Sequence, residues 1–218
     1  MSKKILITAG GELSSAFLLS YMREHPFDYV IAADRGMDVL REAGIVPDMI
    51  MGDFDSTRIG TDYFAEKGSK ITVFPQEKDF SDMEAALNAA VEAGASEITV
   101  LGAAGGRLDH FLANVMALRI PLRAGIGAYI VDEQNRISLR DSSFIIKKRE
   151  TFGKYVSLLP LAPERITVSL RGFKYDGEEI VLSQDSASLG ISNEPGAEEA
   201  SVRFDEGIVI VVESMDEV

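Results

Sequence analysis

The chain of 218 residues contains no cysteine, no tryptophan and only two histidines. The missing cysteines exclude disulfides, catalytic thiols and zinc–thiolate sites, and they fit a reducing compartment. Neither His25 nor His110 has a partner at metal-ligand spacing. Oxygen groups are therefore the only abundant ligands for a metal ion, and oxygen ligands are the preference of hard cations such as magnesium.

Positive charge and long apolar runs are also scarce. Lysine and arginine total 22 against 35 aspartates and glutamates, for a formal net charge of −13. This charge repels phosphate backbones, so we expect no nucleic-acid partner. The apolar residues after Lys3 and Lys4 are too few for a signal-peptide core and far short of the roughly 20 that span a bilayer. We therefore expect a soluble cytoplasmic protein with no membrane partner.

Residues 1–134 alternate apolar strand patterns with amphipathic helix patterns. Continuous apolar strands between helices are typical of parallel sheets covered on both faces. We predict a Rossmann-like α/β domain with strands at Lys3–Ala9, Tyr29–Ala33, Asp48–Met51, Ile71–Phe74, Glu97–Leu101 and Ala128–Val131. The predicted helices are Ser14–Arg23, Met37–Ala43, Thr61–Lys67, Asp82–Ala93 and Leu108–Leu118.

Residues 135–218 follow a different pattern, with short alternating runs separated by Gly, Pro, Asp and Asn. Such spacing predicts a small antiparallel sandwich or barrel without a long helix. The predicted strands are Arg136–Leu139, Phe144–Lys147, Tyr155–Pro160, Ile166–Leu170, Ser201–Phe204 and Ile208–Val212.

Four aspartates follow predicted strands of the first domain or open its helices: Asp53, Asp55, Asp82 and Asp109. Because the ends of parallel strands meet at one edge of an open sheet, these carboxylates are expected to lie close together. Clustered carboxylates need a cation. The leading hypothesis is Mg²⁺ carrying a nucleotide polyphosphate.

Each aspartate also has a purely structural explanation. Asp53 and Asp55 are two residues apart, so in extended backbone their carboxylates would point the same way, as two ligands of one metal ion must. The alternative is that they form an Asp/Ser turn. Asp82 follows Ser81, which forms a capping-box pattern with Glu84, so Asp82 would also favour the positive end of the helix dipole.

The segment Gly102–His110 joins a strand to a helix. Gly105 and Gly106 allow the backbone to approach a phosphate, and Arg107 offers a guanidinium for bidentate binding. The segment is neither a Walker A loop nor a dinucleotide fingerprint, and a flexible turn with an exposed arginine is the alternative. His110 would orient Asp109 or the nucleotide, or serve as a structural hydrogen-bonding residue.

Another acid, Asp34, ends the second strand. It would meet a ribose hydroxyl or a phosphate, and a turn explains it equally well.

Taken in order, four segments strongly resemble thiamine pyrophosphokinase (thiamine diphosphokinase). They are Ala33-Asp34-Arg35-Gly36, Pro47-Asp48 with Gly52-Asp53-Phe54-Asp55-Ser56, Lys78-Asp79-Phe80-Ser81-Asp82, and Gly105-Gly106-Arg107-Leu108-Asp109-His110. The resemblance continues, more loosely, through Gly172-Phe173-Lys174-Tyr175 and Gly190-Ile191-Ser192-Asn193-Glu194. Arg35 and Ser81 depart from the family's usual glycine and threonine, and the missing tryptophan removes an indole contact that some relatives make to thiamine.

The resemblance implies a nucleotide-binding α/β domain (1–134) and a thiamine-binding, dimerising β-sandwich (135–218) in a homodimer. Asp53, Asp55, Asp82 and Asp109 match the family's metal and catalytic positions. Asp34, Lys78, Asp79, Gly105, Gly106, Arg107 and His110 would face the nucleotide, and Ser192 and Asn193 fall in the thiamine-binding segment.

The implied reaction transfers the β,γ-pyrophosphoryl unit of ATP to thiamine with Mg²⁺, giving thiamine diphosphate and AMP. Asp82 is our candidate for the group that accepts the alcohol proton. Three alternatives stay open from the sequence: a diphosphokinase acting on another alcohol such as a hydroxymethylpterin, a non-catalytic nucleotide sensor, and an interaction protein whose aspartates are structural.

Overall fold

The computed structural model describes residues 2–54, 60–75, 77 and 79–216. Contacts along the chain divide it into two compact units, Met1–Glu133 and Gln134–Val218. Within the described ranges, no helix is long and apolar enough to cross a membrane.

The first unit is built on parallel strands. These are β1 (Lys4–Thr8), β2 (Tyr29–Ala33), β3 (Met49–Gly52), β4 (Lys70–Val73), β5 (Glu97–Leu101) and β6 (Gly127–Val131). They pair in the order β4-β3-β2-β1-β5-β6, and each neighbouring pair is parallel. In β1, Ile5, Leu6 and Ile7 are fully buried although successive side chains point to opposite faces, so both faces of the sheet are covered. The predicted α/β class is confirmed.

The helices between these strands, in the part of the unit that the structure describes, are α1 (Ser15–Glu24), α2 (Gly36–Glu42), α3 (Asp62–Ala65), α4 (Asp82–Glu92), α5 (Leu108–Ala117) and α6 (Arg119–Arg123). Helix α4 shows why the sequence folds this way. Its buried residues Met83, Ala86, Leu87 and Ala90 recur at helical spacing on one side. Helix α6 was not predicted, because it follows α5 directly and carries Pro121 in its first turn, where proline is tolerated.

The second unit is a β-sandwich. Its strands are β7 (Asn135–Arg140), β8 (Phe144–Lys147), β9 (Tyr155–Ala162), β10 (Arg165–Arg171), β11 (Gly177–Ser183), β12 (Glu199–Arg203) and β13 (Ile208–Ser214). One antiparallel layer has the order β7-β13-β9 and the other β11-β10-β12-β8. A single apolar core takes residues from both layers, including Val156 and Val211 from one and Val168 and Val202 from the other.

An ion pair joins β7 to β13, with Glu213 buried and Arg136 partly buried. The guanidinium of Arg136 donates to both carboxylate oxygens of Glu213, at 2.9 and 2.6 Å. Glu213 is only 6% exposed, and it also accepts a hydrogen bond from the Phe152 backbone N–H at 3.1 Å. Arg136 in turn donates to the backbone carbonyl of Glu150 at 2.7 Å. Because both charges are paired and hydrogen-bonded, their burial is tolerated.

Candidate active site

A cleft of about 930 Å³ opens at the carboxyl ends of β1, β2, β3 and β5. It lies wholly within the first unit, and its walls comprise residues 9–13, 33–35, 53, 80–83, 102, 103, 105–107, 110 and 114. Strand β1 pairs with β2 on one side and with β5 on the other, so the chain order reverses at this point. Ligands of open α/β sheets bind in the crevice outside the strand ends at such a switch point.

The loops after β1 and β5 are pressed together beside the cleft. The Gly11 N–H donates to the Gly102 carbonyl at 2.8 Å. A Cβ at Gly11 would lie 2.4 Å from that carbonyl oxygen, so only glycine fits there. Gly10, Gly11 and Glu12 line the cleft but were not among the predicted site residues. The Gly-Gly pair directly after the first strand was the sequence signal that pointed to them.

The turn after β2 presents Asp34 and Arg35 to the cleft. Asp34 has a left-handed backbone with φ of 48°, and its N–H donates to the Met51 carbonyl of β3 at 2.8 Å. Asparagine and aspartate tolerate this conformation better than other side chains. The structure thus places Asp34 both in a turn and in the cleft wall, so the two sequence interpretations are compatible.

Asp53 follows β3 and lines the cleft. Phe54 next to it has a left-handed φ of 59°, so the extended backbone that we expected between Asp53 and Asp55 is interrupted. The common direction of the two carboxylates therefore does not follow from strand geometry. Asp55 itself lies outside the described residues.

Asp82 opens α4 and also lines the cleft. The predicted capping box is present: the Glu84 N–H donates to Ser81 Oγ at 3.1 Å, and the Ser81 N–H donates to Glu84 Oε2 at 2.7 Å. The cap holds the helix start without using the Asp82 carboxylate. The position of Asp82 in the cleft wall is therefore additional to any effect on the helix dipole.

Arg107 and Asp109 form a bidentate ion pair. Arg107 donates through Nε at 3.1 Å and through a terminal nitrogen at 2.5 Å, one bond to each carboxylate oxygen. The hydrogen bond from Arg107 lowers the pKa of Asp109 to about 2, and it raises the pKa of Arg107. Arg107 and His110 line the cleft, whereas Asp109 is absent from its wall.

The acidic cluster is therefore seen only in part. In the portion of the chain that the structure describes, no three acidic or histidine side chains are grouped to hold a metal ion. Asp53 and Asp82 share the cleft wall with Glu12 and Asp34. These donors are all carboxylate oxygens, a set that fits a hard cation such as Mg²⁺. The four-aspartate metal site stays a prediction.

Four further residues were predicted to face the nucleotide, and the structure places two of them, Gly105 and Gly106, in the cleft wall, as expected for a loop that approaches phosphate. Asp79 is exposed and is not part of the wall, and Lys78 lies outside the described residues. Asn114, which was not predicted, supports the loop because its side-chain amide donates to the Ala103 carbonyl at 3.1 Å.

Ser192 and Asn193 belong to the second unit. The Ser192 N–H donates to Ser157 Oγ at 3.0 Å. The Asn193 side chain accepts from the Tyr175 N–H at 3.1 Å and donates to the Tyr175 carbonyl at 2.9 Å. Asn193 thus fixes the backbone of Tyr175, a residue that is 64% exposed. Both polar atoms of the Asn193 side-chain amide are therefore used in hydrogen bonds within this loop.

Comparison with known proteins assigns both units to one family. Residues 24–130 match the thiamin pyrophosphokinase catalytic domain, and residues 143–209 match the thiamin pyrophosphokinase vitamin B1 binding domain. A thiamine pyrophosphokinase from Bacillus subtilis (strain 168) is 34% identical over 217 residues, which cover 98% of this chain and 100% of that protein.

Solved structures agree with this assignment. A crystal structure of thiamine pyrophosphokinase from Bacillus subtilis matches with a TM-score of 0.84 at 32% identity, covering 99% of this chain and 100% of the other. A crystal structure of thiamin pyrophosphokinase from Geobacillus thermodenitrificans matches with a TM-score of 0.79 at 31% identity, covering 98% of each chain.

Proposed function

Because the chain belongs to the thiamin pyrophosphokinase family, its reaction is transfer of the pyrophosphoryl group of ATP to thiamine, and we propose that the cleft of the first unit binds the ATP. The observation that supports this location is the cleft itself. It combines the glycine turns after β1 and β5 with Arg107 and with carboxylates on neighbouring strand ends. Backbone N–H groups and a guanidinium are the groups that bind phosphate in such crevices.

In the proposed reaction the hydroxyethyl oxygen of thiamine attacks the β-phosphorus of ATP. A bond forms between that oxygen and the β-phosphorus, and the bond from the β-phosphorus to the oxygen bridging to the α-phosphate breaks. AMP leaves with the bridging oxygen, and the hydroxyl proton passes to a carboxylate and then to solvent. We assign the proton to Asp82, because it lines the cleft and is not required by the helix cap.

The chain's own contribution is mainly alignment and charge. Arg107 binds a phosphate oxygen, Gly105 and Gly106 let the backbone approach, and Asp34 and His110 face the nucleotide, with Lys78 and Asp79 as further proposed neighbours. We propose that Asp53, Asp55, Asp82 and Asp109 would hold Mg²⁺. The ion, when bound, neutralises charge on the transferred phosphates.

We propose that the second unit binds thiamine through the segment of Ser192 and Asn193. The support is the Asn193 amide, which holds the exposed Tyr175 in place and so prepares an aromatic face. We further propose that the protein works as a homodimer in the cytoplasm. Three exposed apolar residues on α5, Leu108, Leu112 and Met116, support self-association, because they form a stripe at i, i+4 and i+8.

The first experiment incubates the purified protein with ATP, thiamine and Mg²⁺, and separates AMP and thiamine diphosphate by chromatography. We expect both products in equal amounts, and neither product when thiamine or the metal is omitted. Consumption of ATP with a hydroxymethylpterin but not with thiamine would reassign the substrate. ATP binding without AMP formation would indicate a sensor instead.

A further inference from the structure

Among the described residues of the cleft wall, Arg35 and Arg107 carry guanidinium groups, and their surroundings differ. Arg107 is held by Asp109 in the bidentate pair described above. Arg35 is exposed, lines the cleft, and makes no ion pair or side-chain hydrogen bond with any residue that the structure describes. Its positive charge is therefore available for a ligand.

The backbone at Arg35 is fixed from three sides. The Asp38 N–H donates to the Arg35 carbonyl at 2.9 Å, which starts α2. Gly36 lies so close to β1 that a Cβ there would come within 2.0 Å of the Thr8 carbonyl oxygen, and Thr8 Oγ1 donates to the Gly36 carbonyl at 3.0 Å. On the cleft side, a Cβ at Gly10 would lie 2.9 Å from Arg35 Cβ. The Arg35 side chain therefore starts from a fixed point directly over the turn after β1.

Strand pairing places the two arginines on opposite sides of that turn. Arg35 follows β2 and Arg107 follows β5, and these strands flank β1 on its two edges. A ligand above Gly10 and Gly11 would lie between the chain positions of the two arginines. The same cleft wall carries the carboxylates of Glu12, Asp34, Asp53 and Asp82. An anionic ligand entering it needs positive charge on more than one side.

We propose that Arg35 is a second phosphate-binding residue, which binds the polyphosphate of ATP from the β2 side of the cleft. This inference rests on the proposed ATP-binding role of the cleft. A guanidinium is suited to the task because it stays charged at all working pH values and presents several donors in one plane. The proposal assigns no part of the nucleoside to Arg35.

The test measures binding of inorganic tripolyphosphate by titration calorimetry, without thiamine, at fixed free Mg²⁺. We expect Arg35→Gln to weaken tripolyphosphate binding about tenfold or more, as loss of a charge-assisted contact implies. Adenosine should bind wild type and variant equally. Arg35→Lys should recover part of the affinity because it restores the charge. Arg23→Gln is the matched control, since Arg23 is an exposed arginine on α1 outside the cleft wall.

In turnover assays, Arg35→Gln should raise KM for ATP by a similar factor while KM for thiamine stays within twofold. Equal tripolyphosphate affinity in wild type and Arg35→Gln would overturn the proposal, as would no binding by wild type or an equal loss of adenosine affinity. Circular dichroism and thermal unfolding show whether Arg35→Gln is folded. If it is not, the binding of tripolyphosphate is compared between wild type and Arg35→Lys instead. If wild type binds tripolyphosphate through Arg35 but makes no thiamine diphosphate, the proposed function fails and the assignment of Arg35 stands.

Discussion

At the scale of single residues, the Arg107–Asp109 pair excludes the Asp109 carboxylate as the group that titrates in a pH profile of activity. Its folded pKa of about 2 lies below the ordinary value of 3.8, because Arg107 donates to the charged form. The pairing therefore favours the folded state above pH of about 4, and this contribution is lost as the pH falls from about 4 through about 2. Asp109 stays ionised throughout any practical assay range.

We expect Asp109→Asn to leave the acid limb of the pH dependence of kcat/KM in place between about pH 5 and 9, because the group that titrates there is a different one. The rate itself should fall, since Arg107 loses the partner that orients it. Rates measured across this range with saturating Mg²⁺ check the prediction. A displacement of the acid limb by about one pH unit would contradict it.

Asp82 allows a test that separates chemistry from helix stability. Asp82→Asn should reduce kcat by about 10²-fold or more, in line with loss of a general base. Its thermal unfolding should change little, because the Ser81–Glu84 capping box is intact. Asp62→Asn is the control, since Asp62 opens α3 outside the cleft wall. Near-normal turnover of Asp82→Asn would remove Asp82 from the catalytic residues.

At the scale of elements, the pair that joins β7 to β13 should contribute measurably to stability, because its Glu213 carboxylate is buried. Arg136→Leu leaves the carboxylate of Glu213 buried with the Phe152 N–H as a remaining donor. We expect the free energy of unfolding to fall by about 3–5 kcal/mol, the usual cost of stranding one partner of a buried pair. Urea titration followed by circular dichroism measures it.

Arg165→Leu is the matched control, because the Arg165–Asp185 pair is exposed at 65% and 64%. Such surface pairs contribute about 0–1 kcal/mol. Equal decreases in the free energy of unfolding for the two variants would show that the burial of Glu213 does not explain the contribution of its pair with Arg136.

Elements with strong periodicity could be predicted from the sequence, and the weakly patterned ones could not. The apolar runs of β1 and β5 and the helical spacing of α4 carry their own local signal. Strand β11 does not, because it is an edge strand that pairs only with β10 among the described strands and is mostly exposed. Glu179 within it has a left-handed φ of 53°, which breaks the alternation that would have revealed the strand.

At the scale of the whole molecule, the net charge of −13 acts on charged substrates before they bind. Thiamine carries a positive thiazolium ring, so the protein attracts it at low salt. We expect kcat/KM for thiamine, at saturating ATP, to fall by about two- to fivefold between about 0.01 M and about 0.15 M ionic strength, as the field is screened. An unchanged value would indicate that the charge around the thiamine entrance does not follow the net charge.

Long-range pairing limited what the sequence could reveal about the site. The central place of β1, with β2 and β5 as neighbours, depends on contacts between distant segments that no local pattern encodes. The prediction therefore included Asp53, Asp82, Arg107 and the glycines after β5, but it omitted Gly10, Gly11, Glu12 and Arg35 from the site. The pairing of Asp109 with Arg107 could not be predicted either, because it depends on side-chain conformations in an exposed loop.

Two glycines beside the cleft, Gly11 and Gly36, leave no room for a larger residue, whereas Arg35 does not have this restriction. At Gly11 and Gly36 any larger residue meets a backbone carbonyl within 2.4 and 2.0 Å, and backbone cannot move aside as a side chain can. Arg35, next to Gly36 in the chain, is exposed and lines the cleft. In a saturation library selected for thiamine diphosphate synthesis, positions 11 and 36 should therefore accept almost nothing but glycine. Position 35 should accept residues of any size, with phosphate affinity as the property that changes. A variant that uses a different phosphate donor would therefore be expected to carry a substitution at this position.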